Sequence, residues 1–235
     1  MTSLRIAVIG NGKMGKAVAA LARERGHTIG TIVGHVENPA GRALTAERLK
    51  GIDIAIEFTR PDAVVANLER LIPLGIPTVT GTTGWTDALA NIELLVQREG
   101  GALLHAANFS VGVHLFFRAA KALAQCFRDR PEFAVTIHEE HHASKLDAPS
   151  GTALLLQQQL WQAEPGRRFP ITSVRAGDAP GAHTLKYEAK HETVTLQHVS
   201  RSRDVFAAGA VAAAEWLPGH HGVFTFEDML FESER

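Results

Sequence analysis

Cysteine is almost absent from this chain of 235 residues, since Cys126 is the only one. A single cysteine excludes an internal disulfide, and its place in the apolar run A-L-A-Q-C-F predicts a buried, inert thiol. No apolar run approaches the roughly 18 residues of a membrane-spanning helix. The first residues, M-T-S-L-R-I-A-V-I-G, become a strand almost at once, so we expect no signal peptide. These absences together predict a soluble protein of a reducing cytoplasm.

An excess of charge of either sign is also missing. Lys and Arg number 24 and Asp and Glu number 25, which gives a formal net charge of −1. No global basic field therefore draws the protein to nucleic acid or to a membrane surface, and we expect neither as a partner. The hydrophobic share of 45% and the charged share of 21% are ordinary for a globular protein.

The first residues of the chain have the pattern of a dinucleotide-binding turn. An apolar run from Leu4 to Ile9 predicts a strand buried on both faces, and a helix is predicted from about Lys13 to Arg25. Between them lies G-N-G-K-M-G, a G-x-G-x-x-G motif. In this motif the first glycine permits the tight turn, the second lets the backbone approach a pyrophosphate, and the third allows close packing of helix on strand. The setting favours a dinucleotide site over a plain structural turn.

The tip of the second predicted strand, Thr28 to Val33, bears on which dinucleotide is preferred. An acidic residue there binds the ribose hydroxyls, whereas an Arg nearby accommodates a 2′-phosphate. The tip in this chain reads Gly34-His35, and the nearest acid, Glu37, follows late. The choice between NADH and NADPH stays open at this point.

Strands and helices continue to alternate up to about residue 107. Further strands are predicted at 52–58, 77–80 and 102–105, and helices at about 61–71 and 86–98. Each strand is followed by polar or glycine-rich residues, which read F-T-R-P, G-T-T-G and A-A-N-F-S in turn. Ligands of open α/β sheets bind at the edge where the carboxyl ends of the strands meet, so these loops are candidate ligand contacts.

The pattern changes after Asn108. A long helix is predicted from Val111 to Phe127 and a strand from Phe133 to Glu139. Later strands, at about 171–175, 183–188 and 192–198, follow one another without helices between them, which indicates a mixed or antiparallel sheet. A helix at 205–216, a short mixed tail at 224–231 and a loop at Gly177 to Gly181 complete the prediction. We therefore expect an α/β protein with a boundary near residues 107–108 and a second domain of α+β type.

The stretch from Glu140 to Ala153, E-H-H-A-S-K-L-D-A-P-S-G-T-A, combines basic groups with a helix start. A small polar residue ahead of the helical run Ala153 to Ala163 is an N-cap signal. The first amides of a helix have no partner within it and carry the positive end of its dipole, so they suit an anion. Basic side chains beside that terminus predict a substrate site for an acidic ligand, with a titratable imidazole at its edge.

The same stretch has two plainer interpretations. Lys145 and Asp147 are compatible with a surface ion pair that contributes under about 1 kcal/mol. A pair of histidines also suggests a metal, but His141 and His142 are adjacent and would point to opposite faces of a strand. We therefore predict no metal site.

Together the motifs closely resemble the 4-hydroxy-tetrahydrodipicolinate reductase family of the diaminopimelate and lysine pathway, once called dihydrodipicolinate reductase. The resemblance rests above all on E-H-H-x-x-K-x-D-A-P-S-G-T-A, a long motif with rare residue types at fixed spacing. The other motifs are G-N-G-K-M-G, F-T-R-P, G-T-T-G, N-F-S-x-G at Asn108 to Gly112, G-x-H at Gly181 to His183, and S-R-x-x-F-A-x-G-A at Ser202 to Ala210. The matches extend from residue 5 to about residue 217.

The resemblance implies a fold and a reaction. It implies a Rossmann-type dinucleotide-binding domain at 1–107, rejoined by about 206–235, and a substrate-binding domain at 108–205 whose sheet builds a homotetramer. It implies that a hydride passes from NADH or NADPH to a cyclic imine dicarboxylate, which gives tetrahydrodipicolinate and releases water. The hydride chemistry belongs to the cofactor, and the protein orients it and balances charge.

The resemblance also implies roles for individual residues. The catalytic pair is His141 and Lys145, and the substrate-binding residues are His142, Ser150, Gly151 and Thr152. The cofactor-binding residues are Gly10, Asn11, Gly12, Lys13, Met14, Gly15, His35, Phe58, Thr59, Gly81, Thr82, Thr83, Ala107, Asn108 and Phe109. Two features depart from the family pattern: the Gly34-His35 tip described above, and Ser200-Arg201, where family members tend to have small residues.

When hydride adds to a conjugated imine, electron density moves toward nitrogen and a proton must follow. Either His141 or Lys145 is placed to donate it, and an imidazole suits neutral pH. The sequence does not decide between them; the working assignment takes His141 as the acid and Lys145 as the charge partner. Two rival functions remain: another two-domain dehydrogenase of amino or keto acids, and an NAD(H)-sensing binding protein without catalysis.

Overall fold

The structure is a computed structural model, and it describes residues 2–177 and 181–232. The chain divides into two compact units, the first comprising Met1–Ser110 with Asp204–Arg235 and the second Val111–Arg203. Three residues of the predicted loop at Gly177 to Gly181, numbers 178–180, lie outside the described residues. No helix within the described ranges is long and apolar enough to cross a membrane.

The strands of the described chain are β1 (Arg5–Ile9), β2 (Thr28–Val33), β3 (Ile54–Glu57), β4 (Thr78–Thr80), β5 (Ala102–His105), β6 (Ala134–His141), β7 (Ile171–Arg175), β8 (Ala182–Glu188), β9 (Thr193–Val199) and β10 (Gly222–Thr225). Its α-helices are α1 (Lys13–Glu24), α2 (Pro61–Leu71), α3 (Leu89–Glu99), α4 (Val111–Cys126), α5 (Gly151–Ala163), α6 (Asp204–Trp216) and α7 (Phe226–Leu230). Short 3-10 turns lie at Pro39–Gly41 and Thr86–Ala88.

The first unit is built on a parallel sheet with the strand order β10-β5-β4-β3-β1-β2. Its central strands are apolar because helices cover both faces of the sheet; β3, for example, is buried at all four positions. The order of the strands reverses between β1 and β3, since the chain passes from β1 to β2 on one side and then returns to the other. Such a switch point opens a crevice at the carboxyl ends of the strands.

The sixth strand of this sheet was not foreseen as a strand. The sequence indicated only a short mixed tail at 224–231, whereas β10 pairs in parallel with β5, with Gly222 opposite Ala102. The chain then turns directly into α7, whose first residues form a capping box between Thr225 and Asp228. The returning helix α6 is rich in alanine, and its buried alanines pack in the same core as Val18 and Ala22 of α1.

The second unit contains a mixed sheet with the strand order β7-β6-β8-β9. β6 pairs in parallel with β7, while β8 is antiparallel to both β6 and β9. Alternate residues of β6 face a core that also contains Leu156 and Leu160 of α5. Along that face Val135 and Ile137 are apolar, whereas Glu139 and His141, at the end of the strand, are a buried acid and a buried imidazole. The sheet therefore changes from core to chemical site within a single strand.

The prediction of a buried cysteine is wrong, because Cys126 is exposed. It is the last residue of α4, whose buried side is formed by Phe116, Phe117, Ala120 and Ala124. A position two residues beyond Ala124 lies on nearly the opposite side of a helix with 3.6 residues per turn. The apolar neighbours in sequence were therefore misleading.

Candidate active site

In the first unit, the glycines of the turn between β1 and α1 differ in how much space surrounds them. A Cβ atom on Gly10 would overlap the carbonyl oxygen of Phe58, and one on Gly15 would overlap the carbonyl oxygen of Gly10. A Cβ atom on Gly12 would meet no atom within 4 Å. Two glycines are thus required by the fold itself, and the open side of Gly12 is available for a ligand at the N-terminus of α1.

The loops predicted to bind the cofactor are brought to one edge of the sheet. Ile9 is paired with Glu57, Glu57 with Thr80, and Thr80 with His105, so four neighbouring strands end at the same level. The candidate residues follow directly after these ends: 10–15 after β1, Phe58 and Thr59 after β3, 81–83 after β4 and 107–109 after β5. Phe109 is buried against Phe58 and Phe226, so its side chain anchors the loop rather than facing solvent.

A fully buried carboxyl group, that of Glu57, ties two of these loops together. It accepts hydrogen bonds from the hydroxyls of Thr59 and Thr80, the latter at 2.5 Å, and from the side-chain amide of Asn67 at 3.3 Å. The loops are also joined directly, since the backbone amide of Thr59 donates to Oγ1 of Thr82 at 2.8 Å. Burial raises the pKa of Glu57, and the hydrogen bonds from these hydroxyls and the amide partly offset that rise. We infer that this network holds the loops after β3 and β4 in place at the sheet edge where the cofactor is predicted to bind.

The tip of β2 contains an acid after all, although it follows late in the sequence. Glu37 turns back so that its Oε1 accepts a hydrogen bond from the amide of Gly34 at 2.7 Å. This bond, together with Arg48 Nη2 at 3.1 Å from Oε2, lowers the pKa of Glu37. His35 belongs to the same tip. The tip therefore offers both an acid for ribose hydroxyls and a cation for a phosphate, which leaves the choice of cofactor open.

In the second unit, the start of α5 has the properties of an anion site. Ser150 is its N-cap, and the hydroxyl of Ser150 accepts a hydrogen bond from the amide of Ala153 at 3.2 Å. The amides of Gly151 and Thr152 donate to no protein atom within the described residues. A Cβ atom on Gly151 would also meet nothing within 4 Å, so no protein atom crowds the Cα atom of the first helical residue.

The predicted catalytic residues and His142 have different environments. His141 is buried at 8% exposure, while His142 is partly exposed and the amine-bearing side chain of Lys145 is 23% exposed. Nζ of Lys145 donates to both carboxylate oxygens of Asp147, at 2.7 and 2.8 Å, and these bonds lower the pKa of Asp147. Nδ1 of His142 lies 2.8 Å from the hydroxyl of Ser144.

Three residues of this site were not assigned a role from the sequence: Glu139, Arg175 and His183. Glu139 is fully buried, and its Oε1 accepts from Nη2 of Arg175 at 2.7 Å and from the amide of Ser150 at 3.2 Å. His183 is paired directly with Glu139 across β6 and β8, and its ring stands 5.1 Å from that of His141. The period of two along a strand was the available signal, since it places Glu139 on the same face as His141.

Burial shifts the pKa values of Glu139, His141 and His183, and their neighbours oppose or add to these shifts. Burial alone would raise the pKa of Glu139, but hydrogen bonds from Ser150 and Arg175 outweigh it and hold that pKa at about 2. Burial lowers the pKa of His141, and the neighbouring Glu139 opposes that shift. Burial also lowers the pKa of His183 to about 4, and His141 adds to this effect. The cluster therefore holds an ionised carboxylate beneath imidazoles that are neutral at pH 7 in the free protein.

We predict that replacing His183 by Asn flattens the acid dependence of stability. The pKa of His183 is depressed from 6.5 to about 4 in the folded state, so its unfolded form binds more protons in between. The contribution of neutral His183 to the free energy of unfolding is therefore fully present above pH 6.5. It is lost as the pH falls toward 4, by at most about 3 kcal/mol. Urea unfolding at about pH 7, 5.5 and 4.5 should show a smaller loss in the variant. Equal losses in both proteins would contradict the assignment.

Glu139, His141 and His183 also form a possible metal-ligand set, because each offers one donor atom and these atoms lie within 4.8 Å of one another. This is not the His141 and His142 pair considered from the sequence. The guanidinium of Arg175 already binds the carboxylate of Glu139 at 2.7 Å and would repel a divalent cation. The absence of a metal requirement stays a prediction on that electrostatic ground.

Comparison with known proteins covers nearly the whole chain. A family model described as dihydrodipicolinate reductase, N-terminus, matches residues 4–109, and one described as dihydrodipicolinate reductase, C-terminus, matches residues 112–230. A 4-hydroxy-tetrahydrodipicolinate reductase from Christiangramia forsetii is 36% identical over 239 residues, covering 97% of this chain and 98% of the relative. One from Thiobacillus denitrificans is 34% identical over 266 residues, with coverage of 97% and 98%.

Solved structures show the same fold. A dipicolinate-bound dihydrodipicolinate reductase from Paenisporosarcina sp. TG-14 has a TM-score of 0.81 at 23% identity, covering 95% of this chain and 98% of that one. GenD2 from gentamicin A biosynthesis, in complex with NAD, has a TM-score of 0.56 at 12% identity, covering 100% and 88%. At these identities the likeness concerns the fold alone.

The protein is an NAD(P)H-dependent oxidoreductase, because its sequence matches this family and its fold combines a Rossmann-like parallel sheet with a second unit that has a mixed sheet. The chain belongs to the dihydrodipicolinate reductase family, whose members are now called 4-hydroxy-tetrahydrodipicolinate reductase. Its reaction is the reduction of 4-hydroxy-tetrahydrodipicolinate in diaminopimelate and lysine biosynthesis. Family membership removes both rivals, the unrelated dehydrogenase and the sensor without catalysis.

Proposed function

We propose that the second unit binds the substrate at the start of α5 and that His141 donates the proton. The observation that carries this proposal is the pair of amides at Gly151 and Thr152, which donate to no protein atom within the described residues and follow three basic groups in the same stretch of chain. One substrate carboxylate accepts from these amides. Lys145 and His142 bind the other, which requires the amine of Lys145 to exchange its partner Asp147 for the substrate.

The proton transfer follows from the charges around His141. Without substrate, burial lowers the pKa of this imidazole, so it is largely neutral at pH 7. A bound dicarboxylate brings negative charge beside it, which raises the pKa and favours the protonated form. Substrate binding therefore favours the protonated imidazole before hydride addition moves electron density toward the nitrogen of the substrate. The amine of Lys145 balances the charge of the dicarboxylate.

The cofactor is assigned to the first unit, and when bound it supplies the hydride. Gly12 and the N-terminal amides of α1 hold the pyrophosphate, together with Asn11, Lys13 and Met14 of the same turn. The loops fixed by Glu57 provide Thr59 and Thr82, while His35 and Glu37 lie at the ribose end. We also propose that the two compact units are the domains predicted at 1–107 with 206–235 and at 108–205.

Assembly and location complete the proposal. We propose a homotetramer in the cytoplasm, in which the face of the mixed sheet opposite α5 forms the interface. Sedimentation at several concentrations tests the assembly.

Removing a single amide at the start of α5 tests the substrate site. Gly151 is the first residue of α5 and its preceding residue, Ser150, is extended at φ −67° and ψ 153°, so a Pro fits there without breaking the helix. We expect Gly151→Pro to weaken inhibition by dipicolinate, the ligand of the related solved structure, by about 10- to 100-fold, because a hydrogen bond to a charged group contributes about 1.5–3 kcal/mol.

The matched control is Gly151→Ala, which adds a Cβ atom in open space and keeps the N–H. This variant should bind dipicolinate and turn over almost like the unaltered protein. Equal effects of Pro and Ala would assign the loss to crowding, and an unchanged inhibition constant in Gly151→Pro would remove this amide from the substrate site. Circular dichroism confirms that the helix is kept in both variants.

A further inference from the structure

A buried carboxylate lies beneath the predicted acid, on the same face of the same strand. Glu139 and His141 are two residues apart on β6, and Glu139 is fully buried. Its Oε2 lies 2.7 Å from Nδ1 of His141. This contact becomes an ion pair when the imidazole is protonated, and neither atom has a hydrogen-bond partner elsewhere in the described part of the chain. Each is therefore the other's polar neighbour in a site closed to solvent.

The other oxygen of this carboxylate is held from two directions. Oε1 accepts from Nη2 of Arg175 on β7 and from the amide of Ser150 ahead of α5. The register of the sheet places Arg175 directly opposite His141 on the neighbouring strand. Because Oε1 is bound by a cation and an amide, Oε2 is the oxygen that remains available to His141. That oxygen faces the imidazole.

The second nitrogen of His141 has a different environment. Nε2 would lie 3.0 Å from a Cβ atom on residue 181, where the chain has Gly181 at φ +137°. A glycine there leaves the approach to Nε2 uncrowded, whereas any L side chain would be strained by the backbone and would press on the ring. The two nitrogens thus have separate surroundings: Nδ1 against an anion, and Nε2 beside a glycine.

Arg175 also reaches the loop that holds the second catalytic residue. Its Nη2 donates to the carbonyl oxygen of Asp147 at 2.5 Å, and Asp147 binds the amine of Lys145. One guanidinium therefore contacts both the carboxylate under His141 and the backbone of the residue that pairs with Lys145. Side-chain contacts and one backbone carbonyl therefore connect the surroundings of His141 with those of Lys145.

We propose that Glu139 is a positioning residue that holds Nδ1 of His141 and so directs Nε2 to the proton transfer, with Arg175 fixing Glu139 in place. This proposal rests on His141 being the acid. A protonated Nδ1 facing Glu139 gives one defined tautomer and one defined ring orientation, as second partners of catalytic imidazoles do elsewhere. The negative charge of Glu139 also favours the imidazolium that the transfer requires.

Several charged or titratable groups face His141 and set its behaviour with pH. Glu139 lies on the same strand, Arg175 on β7, His183 on β8, and Lys145 on the loop that follows β6. Among these, Glu139 raises the pKa of His141, while Lys145 and Arg175 lower it. Removing the charge of Glu139 alone must therefore shift the titration of His141 to lower pH.

The test compares Glu139→Gln with Glu140→Gln. Glu140 is the next residue on β6 and faces the other side of the sheet, so its variant controls for a lost charge on the same strand. We expect Glu139→Gln to lower kcat by about 10- to 100-fold, a part of the roughly 10²- to 10⁴-fold that a positioned acid contributes. The alkaline limb of its kcat profile, and the His141 proton signal in an NMR titration, should move to lower pH. Glu140→Gln should change neither.

The His141→Asn background separates this role from a structural one. If Glu139 acts through His141, adding Glu139→Gln to His141→Asn should lower kcat by less than about twofold more. A full additional loss in that background, or an unshifted titration of His141 in the single variant, would overturn the proposal. An active His141→Asn protein would instead contradict the assigned acid, which is the proposed function and not this inference.

Discussion

Replacing Lys145 by Ala should lower turnover by about 10²- to 10³-fold, as the loss of one charge-stabilising group does, while the affinity for NADH and NADPH is kept. The side chain of Lys145 is 23% exposed and pairs with Asp147, which is more exposed still. Its loss removes a cation from the proposed anion site of the second unit, whereas the glycine turn belongs to the first unit. Steady-state kinetics and cofactor binding by fluorescence measure the two effects separately.

The chain offers a matched control for this variant. Lys186 and Glu188 form an ion pair with the same spacing of two residues, at 2.8 Å, on β8. If Lys145 and Asp147 were only a surface ion pair, Lys145→Ala and Lys186→Ala would behave alike and neither would affect turnover much. A cofactor affinity that collapsed in Lys145→Ala would place this residue in the nucleotide site and contradict the division of roles between the units.

Replacing Gly12 by Val should abolish cofactor binding without unfolding the protein. Gly12 has φ −72° and ψ −167°, a conformation that valine adopts readily, and a Cβ atom added there would have no other atom within 4 Å. The added side chain occupies the space that a pyrophosphate needs. We expect the dissociation constants of NADH and NADPH to rise by at least about 100-fold, which corresponds to about 2.8 kcal/mol.

The neighbouring glycines provide the contrast. Gly15→Val should fail to fold or lose much of its thermal stability, because even a Cβ atom there would overlap the carbonyl oxygen of Gly10. Gly12→Val should melt close to the temperature of the unaltered protein. Cofactor binding that survives in Gly12→Val would show that the pyrophosphate does not approach this turn.

The sequence predicted the first unit well because its signals are local. A strand buried on both faces is read from one apolar run, and the glycine turn is read from its spacing. The strand β10 was missed because it has four residues and its partner β5 lies more than 100 residues earlier in the chain. Pairing over such a distance depends on the finished sheet rather than on any pattern around Gly222 to Thr225.

In the second unit, too, some site residues could be predicted from the sequence and others could not. His141, Lys145 and the start of α5 lie in one continuous motif, so the sequence brought them together without knowledge of the fold. Glu139 was visible only as the end of a strand, although alternation along that strand would have placed it under His141. Arg175 depends on the register between β6 and β7, which the sequence does not specify.

Oxidation of NADH and NADPH, followed side by side at about 340 nm, tests the reaction assigned to this protein. The substrate is generated in the cuvette from pyruvate and aspartate semialdehyde by the preceding synthase. We expect oxidation that requires the synthase, both of its substrates and this protein. The ratio of the two rates gives the cofactor preference, which Gly34, Glu37 and Arg48 leave open. Binding of both cofactors without oxidation of either would contradict the catalytic roles of His141 and Lys145.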